Sequence, residues 1–235
     1  MNIVIAMAGE GTRTSDLFKH PKPLIKVHDH PLIAWAMAGL PLQHASGITF
    51  IVNSKIKTEI NVIDLVSPYL PKTISLKEVV LSKSTSGQAE TVYVGTQDLN
   101  STVPIVIFNC DTVISNDFPE DYSSWDGLLG TFTSNNPQMS FVKSFEGKVI
   151  QTAEKEVISN QASTGLYYFK ELQFFQEAYR ATRHVNESFV APVYNWLIDN
   201  LYQIGSYQTK SVLPLGTSAE IDWFNKLPFP HIKNN

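Results

Sequence analysis

A glycine-rich loop near the N-terminus has features that favour the binding of an anion. Residues 7–13, Met-Ala-Gly-Glu-Gly-Thr-Arg, follow an apolar run that begins at Ile3. Glycines permit a tight turn and close approach to a ligand, and consecutive N–H groups in such a loop form a concave anion site. Arg13 adds a guanidinium suited to phosphate. The loop is not a P-loop, because no Gly-Lys-Ser/Thr follows, and taken alone it is more typical of a tight turn with an exposed arginine.

A lysine between two prolines follows this loop. Pro21 and Pro23 stiffen the backbone around Lys22 and lower the entropy lost when its ammonium is held in one place. The alternative is a solvated lysine in a proline turn. Because each proline pushes the preceding residue to extended geometry, we expect no helix from Pro21 to Ile25.

An aspartate closes a later apolar run. Asn109-Cys110-Asp111 follows residues 104–108, which predict a buried strand. A carboxylate at the carboxyl end of a strand lies where open α/β sheets bind ligands, whereas the alternative for Asp111 is a turn cap. We expect Cys110 to be a small buried residue rather than a nucleophile, because no histidine is tied to it by a motif.

The order and spacing of these segments resemble the sugar-phosphate nucleotidyltransferases. Members of that family carry Gly-x-Gly-[Ser/Thr]-Arg after the first strand and Pro-Lys-Pro-Leu soon afterwards, as residues 9–13 and 21–24 do here. Later matches are Asn-Cys-Asp at 109–111, Glu-Lys at 154–155, Thr-Gly-Leu-Tyr at 164–167 and Gly-Thr at 216–217. The resemblance covers most of the chain. It implies transfer of an NMP from an NTP to a small phosphorylated acceptor, with release of pyrophosphate.

Two details resemble one branch of that family. The Ala-Gly-x-Gly form of the loop and the Asn-Cys-Asp segment look closest to compact relatives that use CTP and serve capsule or lipopolysaccharide assembly. Some of these act on non-sugar phosphates such as phosphocholine or phosphoglutamine. The resemblance therefore favours CTP and leaves the acceptor open between a sugar 1-phosphate and a non-sugar phosphate.

The same resemblance implies a role for each matched residue. Arg13, Lys22 and Asp111 are the expected catalytic residues, with the two cations on the β- and γ-phosphates and Asp111 as the ligand of Mg²⁺. The expected nucleotide-binding residues are Ala8, Gly9, Gly11, Thr12, Gly87 and Gln88. The expected acceptor-binding residues are Glu154, Lys155, Thr164 and Gly165. For Gln88, an exposed position at the start of a helix is an equally good explanation.

One departure from the family pattern concerns the metal. Many relatives have a second metal-binding aspartate two residues before the late Gly-Thr, and Pro214 stands at that position here. Either Asp111 holds Mg²⁺ with phosphates and water alone, or another carboxylate such as Glu220 or Asp222 supplements it.

Composition excludes several classes of protein. The 235 residues carry 18 Lys and Arg against 22 Asp and Glu, so the chain lacks the broad basic surface that nucleic acids require. A hydrophobic share of 43% argues against disorder, and a single cysteine excludes an internal disulfide framework. No apolar run approaches the roughly 18 residues of a membrane span. We expect a cytoplasmic protein without a membrane partner, of unknown oligomeric state.

The pattern of apolar residues predicts the fold class. In the first half, strands are expected at 3–7, 48–52, 74–81 and 104–108, alternating with helices at 31–40, 56–66 and 88–96. In the second half, strands are expected at 128–133, 139–143, 149–153 and 165–169, helices at 172–179, 189–201 and 217–224, and an extended segment at 209–213. Buried runs alternating with helices are typical of parallel strands covered on both faces.

We therefore predict a single α/β domain with a Rossmann-like, mixed and mostly parallel central sheet and helices on both faces. Residues 1–113 are expected to form mainly the NTP-binding half and residues 114–225 mainly the acceptor-binding half. Residues 226–235 are expected to be a tail.

The sequence leaves two other functions open. A metal-dependent glycosyltransferase shares this kind of sheet but normally has Asp-x-Asp at the strand end, whereas Asp111-Thr112-Val113 contains one aspartate. A non-catalytic nucleotide-binding regulator is disfavoured by the joint presence of Arg13, Lys22, Asp111 and Lys155.

Overall fold

The protein is described from a computed structural model, which covers residues 1–9, 21–183 and 188–228. The expected site residues Gly11, Thr12 and Arg13 lie outside the described residues. The strands are β1 (Asn2–Ala6), β2 (Lys26–Val27), β3 (His30–Pro31), β4 (Gly47–Asn53), β5 (Ser75–Leu81), β6 (Ile105–Phe108), β7 (Thr112–Ile114), β8 (Gly127–Thr133), β9 (Ser140–Phe145), β10 (Lys148–Glu154), β11 (Gln161–Phe169), β12 (Ile204–Gln208) and β13 (Val212–Pro214). The α-helices are α1 (Leu32–Ala38), α2 (Ser54–Glu59), α3 (Val62–Val66), α4 (Gln88–Gly95), α5 (Leu172–Thr182), α6 (Val193–Asp199) and α7 (Ser218–Lys226).

One large sheet organises the described part of the chain, with strand order β5-β4-β1-β6-β11-β8-β12-β10-β9. Pairing is parallel from β5 through β4 and β1 to β6, and again between β8 and β12. It is antiparallel around β11 and β10. The predicted α/β class with a mixed central sheet is confirmed, and its parallel part is mainly the N-terminal half.

Helices cover both faces of the sheet because successive side chains of a strand point to opposite sides. In β1, Ile3 and Ile5 enter a core shared with α1, α2 and α3, whereas Val4 enters a second core shared with α4, α5 and α6. Each of these β1 side chains is fully buried. A strand buried on both faces explains the continuous apolar run in the sequence.

A smaller third core attaches α7 to the rest of the fold. Ile221 and Phe224 of α7 pack with Val27, Leu32 and Trp35. The helix starts with a reciprocal capping box, in which the Thr217 hydroxyl accepts from the Glu220 N–H and the Glu220 carboxylate accepts from the Thr217 N–H. The helix expected at 217–224 is confirmed, and its capping box fixes the segment just before α7.

The expectation that Pro21–Ile25 contains no helix is wrong. Lys22–Leu24 form a short 3-10 helix, closed by bonds from Leu24 N to Pro21 O (2.9 Å) and from Ile25 N to Lys22 O (3.1 Å). The donors of this turn come from residues 24 and 25, so neither proline loses a hydrogen bond by joining it. A turn this short thus tolerates prolines that would break an α-helix.

Other differences concern where elements begin and end. The helix expected over 56–66 is two helices, because the Asn61 side chain caps a new one by accepting from Ile63 N. The helix expected from Phe189 begins at Val193. Strand β12 was not predicted, and the extended segment expected from Thr209 enters a strand only at Val212. None of the helices in the described residues has the length and apolarity needed to cross a lipid bilayer.

Candidate active site

A cavity of about 430 Å³ opens at the carboxyl ends of β1 and β6. The register of these parallel neighbours pairs Ile5 with Phe108, so the segments that follow both strands emerge side by side. Nine of the predicted site residues that the structure describes line the cavity, namely Ala8, Gly9, Gly87, Gln88, Asp111, Glu154, Lys155, Thr164 and Gly165. The position agrees with the rule that open α/β sheets bind ligands beyond the carboxyl ends of their strands.

Lys22 and Asp111 form an ion pair at the edge of this cavity. Lys22 Nζ lies 2.6 Å from Asp111 Oδ2 and donates a second hydrogen bond to the Gly216 carbonyl oxygen at 2.9 Å. The side chains are 13% and 28% exposed, respectively, so solvent screens the pair only in part. The ammonium is thereby held beside two residues that line the cavity.

The segment before α7 anchors the backbone of Asp111 as well. Strand β7 pairs with β13, which sets Thr112 opposite Pro214, and Leu215 N donates to Asp111 O at 2.8 Å. The position where many relatives have a second aspartate is therefore next to Asp111 and occupied by Pro214, which lines the cavity. This long-range pairing has no short-range sequence signal.

The donor set fits a magnesium ion bound largely by substrate. Among the described residues, no group of three or more metal-ligating side chains occurs, and the carboxylates lining the cavity are Asp111 and Glu154. Glu220 is engaged in the capping box, and Asp222 is exposed on α7. Because Mg²⁺ is commonly held by one or two carboxylates together with phosphates and water, Asp111 meets the requirement.

Gly87 and Gln88 lie where a loop enters α4. A Cβ on Gly87 would lie 2.5 Å from the Ser188 carbonyl oxygen, and Ala89 N donates to the same oxygen at 2.9 Å. Gly87 is therefore required by close packing of two backbones. Gln88 is half-buried, and its Nε2 donates to Asn109 Oδ1 at 2.8 Å.

The loop before α4 is held by its own side chains. Ser86 donates to Glu90 Oε2 through both its N–H (2.5 Å) and its hydroxyl (2.7 Å), and these bonds lower the pKa of Glu90. On the other wall, Asn53 Nδ2 donates to the carbonyl oxygens of Ala8 (3.2 Å) and Gly9 (3.3 Å). These contacts fix the backbone of both walls in this part of the cavity.

Glu154 and Lys155 line the cavity where β10 ends. The Ser140 hydroxyl donates to Glu154 Oε2, because β9 and β10 pair these two residues directly. Lys155 has a left-handed backbone with φ of 56°, and its ammonium lies 4.7 Å from the centre of the Phe189 ring. The strained backbone and the cation–π contact both direct Lys155 toward the cavity wall.

Thr164 and Gly165 form an irregular point in β11. The Thr164 hydroxyl donates to Gly130 O (3.2 Å) and accepts from Leu166 N (3.3 Å), so its hydroxyl supports the strand. Gly165 has a φ of +83°, and a Cβ there would lie 2.8 Å from Cγ of Asn109. Glycine is thus required twice, by its backbone angle and by the side chain facing it.

Sequence reasoning left out several lining residues, of which Tyr167, Ser140 and Asn109 are the most informative. Tyr167 is almost fully buried, and burial raises the pKa of its phenol to about 12, with the nearby Glu154 carboxylate acting in the same direction. The register near the turn at Glu146-Gly147 would set Ser140 opposite Ala153, and a bulge between Val149 and Gln151 shifts it by one residue, so that Ser140 lies opposite Glu154. Tyr168 and Phe169 belong to the core.

Cys110 is half-buried and lines the cavity, so it is more accessible than the buried residue that the sequence predicted. Burial raises the pKa of its thiol to about 12, and the adjacent Asp111 carboxylate raises it further than Lys22 lowers it. The thiol therefore stays protonated at neutral pH, as the sequence predicted for a cysteine that is not a nucleophile.

Comparisons with known proteins identify the family. The chain is similar to the nucleoside-diphosphate-sugar pyrophosphorylase of Vibrio cholerae RC9, at 30% identity over 96% of this chain and 100% of that one, with a TM-score of 0.84. Two more distant structures share the fold. The inositol-1-phosphate CTP transferase of T. maritima is 13% identical over 96% of this chain and 95% of that one, with a TM-score of 0.77. The UDP-glucose pyrophosphorylase of Acinetobacter baumanii is 13% identical over 95% of this chain and 91% of that one, with a TM-score of 0.78.

No protein-family profile and no curated protein matches the sequence. The family assignment rests on the near-complete overlap with the Vibrio cholerae protein, since the more distant structures show the fold alone. From that overlap, the chain belongs to the sugar-phosphate nucleotidyltransferases and is an enzyme of the nucleotidyltransferase class.

Proposed function

We propose that the protein transfers an NMP from an NTP to a small phosphorylated acceptor and releases pyrophosphate. The observation that carries this proposal is one cavity lined both by Asp111, which holds Lys22 in an ion pair after β6, and by Lys155, which follows the non-neighbouring strand β10. Two separated cations suit two separate phosphate groups, one on the nucleotide and one on the acceptor. A cavity that offers one cation to each of two phosphate groups supports transfer between two phosphorylated substrates.

The reaction forms one bond and breaks one bond. An oxygen of the acceptor phosphate attacks the α-phosphorus, and the bond from that phosphorus to the bridging oxygen of the β-phosphate breaks, so pyrophosphate carries away the electron pair. Because a phosphate oxygen is already ionised at neutral pH, the step needs no general base. Positioning and electrostatic stabilisation carry most of the catalysis in such transfers.

Lys22 is assigned to the leaving group. Its ammonium compensates the negative charge that develops on pyrophosphate, and its bonds to Asp111 and Gly216 keep it from swinging into solvent. Arg13, which lies outside the described residues, is proposed as a second cation for the β- and γ-phosphates, together with N–H groups of Gly11 and Thr12.

Asp111 is the proposed ligand for Mg²⁺. The ion, when bound, supplies charge neutralisation at the phosphate oxygens. Because Pro214 lines the cavity at the usual position of a second aspartate, Asp111 would hold the ion through its carboxylate, and phosphates and water would supply the remaining ligands.

Two sets of lining residues are assigned to different substrates. Ala8, Gly9, Gly87 and Gln88 are proposed to bind the nucleotide, and Glu154, Lys155, Thr164 and Gly165 to border the acceptor. Residues 1–113 then supply most of the NTP-binding half and residues 114–225 most of the acceptor-binding half. The exceptions are the backbones of Leu215 and Gly216, which hold Asp111 and Lys22.

We propose CTP as the preferred nucleotide and a sugar 1-phosphate or a small non-sugar phosphate as the acceptor. Support for CTP and for a role in surface glycan assembly in the cytoplasm comes from the resemblance of the loop at residues 7–13 and of Asn-Cys-Asp at 109–111 to compact relatives. A pyrophosphate-release assay with each of four NTPs against a panel of sugar and non-sugar phosphates, with Mg²⁺, tests the proposal. Pyrophosphate that appears only when both substrates are present supports it. Turnover of a preformed nucleotide sugar without pyrophosphate would point to glycosyl transfer instead.

A further inference from the structure

Asn109 contacts two cavity-lining residues from different parts of the chain, Gln88 and Gly165. It lies directly after β6, two residues before Asp111, and it lines the cavity. On the nucleotide side, its Oδ1 accepts from Gln88 Nε2 at 2.8 Å. On the acceptor side, its side chain faces Gly165.

Asn109 faces Gly165 because of the register between β6 and β11. β11 runs antiparallel to β6 with Tyr167 opposite Ile107, so continuation of that register brings Gly165 opposite Asn109. A Cβ on Gly165 would overlap the Asn109 amide. The left-handed backbone of Gly165 and the missing side chain together make room for that amide.

Gln88 is the first residue of α4, so its bond to Asn109 ties the start of this helix to the end of β6. Ser188 holds the neighbouring backbone through the packing against Gly87 and the bond from Ala89 N. The Gln88 side chain has rotatable bonds that these backbone contacts leave undetermined. Asn109 is the described residue whose hydrogen bond fixes its amide group.

We propose that Asn109 is a positioning residue that sets the orientation of Gln88 and thereby the selectivity among nucleobases. The inference rests on the proposed function, in which Gln88 borders the nucleotide. A Gln88 amide held in one orientation presents its N–H donor and its oxygen acceptor to a base edge at defined positions. An amide free to rotate can exchange the two positions and discriminates less between nucleobases.

The first test measures kcat/KM for each of four NTPs at saturating acceptor. Asn109→Leu should lower the ratio between the best and second-best NTP by about fivefold to tenfold, the net worth of one hydrogen bond. Gln88→Leu should lower the ratio by a similar factor. The ratio in the double variant should be little lower than in either single variant, because each change removes the same interaction.

The matched control is Asn109→Asp, which keeps an oxygen for Gln88 Nε2. The added negative charge of the aspartate weakens the binding of every NTP alike. The ratio of kcat/KM between two NTPs should therefore stay within about twofold of the wild-type ratio while absolute rates fall. An unchanged ratio in Asn109→Leu, or fully additive losses in the double variant, would overturn the proposal. A wild-type protein that turns over no NTP with any acceptor would instead remove the proposed function.

A second test examines the Asn109–Gly165 contact through thermal stability and does not require activity. Gly147 has a similar φ of +79° but open space around a Cβ, so Gly147→Ala reports backbone strain alone. Gly165→Ala should lower Tm more than Gly147→Ala does. In an Asn109→Ala background, Gly165→Ala should lower Tm by about as much as Gly147→Ala. Equal effects of Gly165→Ala in both backgrounds would contradict the proposed geometry.

Discussion

The ammonium of Lys22 and the carboxylate of Asp111 lie 2.6 Å apart, and they join two segments separated by 89 residues in the sequence. The same ammonium bonds to Gly216 O, and Leu215 N bonds to Asp111 O. Three distant segments therefore meet at one point beside the cavity. These contacts hold the Lys22 ammonium in one position. Because the negative charge of a leaving pyrophosphate needs a fixed cation, the proposed reaction takes place beside this ammonium.

Lys22→Met should abolish most turnover without unfolding the protein. Loss of the ammonium removes charge compensation at the leaving group, and we expect pyrophosphate release to fall by at least about 100-fold. Asp111 loses a partner, so Tm should fall by a few degrees, which corresponds to roughly 1–2 kcal/mol. Lys26→Met, at an exposed lysine of β2, is the matched control and should retain activity. Normal turnover by Lys22→Met would remove Lys22 from the proposed machinery.

Lys155→Ala should impair use of the acceptor more than use of the nucleotide. Removal of a charge-assisted contact to phosphate should raise the KM for the acceptor by roughly tenfold to 100-fold and leave the KM for the NTP nearly unchanged. Lys143→Ala, at an exposed lysine on the neighbouring strand β9, serves as the control. Initial rates with each substrate varied in turn separate the two constants, and an equal rise in both would mean that Lys155 does not distinguish the substrates.

Gly87→Ala should destabilise the loop before α4. The backbone of Gly87 is extended, so the penalty comes from the Cβ, which would lie 2.5 Å from Ser188 O. The two backbones must separate, and we expect a lower Tm and weaker NTP binding by calorimetry. Gly216→Ala is the stability control, because a Cβ there has Glu220 Oε2 at 3.5 Å as its nearest neighbour, an ordinary contact. A Gly87→Ala protein as stable as Gly216→Ala would disprove the close packing.

Cys110 should be unreactive in the folded protein. Because the pKa of its thiol is raised to about 12 from an ordinary value of 9.0, the folded state holds the proton at pH 8, and alkylation by iodoacetamide should be at least about 100-fold slower than in urea. The unfolded thiol ionises first as the pH rises, so this group favours unfolding progressively above pH 9. Rapid alkylation of the native protein at pH 8, with mass spectrometry as the readout, would contradict the raised pKa.

The parts of the fold that sequence could predict are those fixed by local patterns. Continuous apolar runs identified β1, β4 and β6, because strands buried on both faces admit few polar residues. Thr217 identified the start of α7, since an N-cap is a local arrangement of a side chain and nearby N–H groups. Asp111 lines the cavity because it follows the end of β6, and Gly87 because it precedes α4.

The parts that sequence could not predict depend on irregular local geometry and on pairing between distant strands. The 3-10 helix at Lys22–Leu24 depends on which donors close a three-residue turn, and proline preferences alone argue against it. The bulge that sets Ser140 opposite Glu154 is an irregularity within the hairpin of β9 and β10. The pairing of Thr112 with Pro214 and the approach of Asn109 to Gly165 depend on which distant strands become neighbours, which no pattern within one strand encodes.

The measurement that tests the central claim most directly follows ¹⁸O from the acceptor phosphate into the products. The protein is incubated with an NTP, Mg²⁺ and an acceptor whose phosphate oxygens are labelled, and the products are separated and weighed by mass spectrometry. Nucleophilic attack by the acceptor phosphate on the α-phosphorus predicts that all of the label enters the nucleotide-linked product, which forms in equal amount with unlabelled pyrophosphate. Label in free phosphate or in pyrophosphate, or a nucleotide-linked product formed without pyrophosphate, would contradict nucleotidyl transfer to a phosphorylated acceptor.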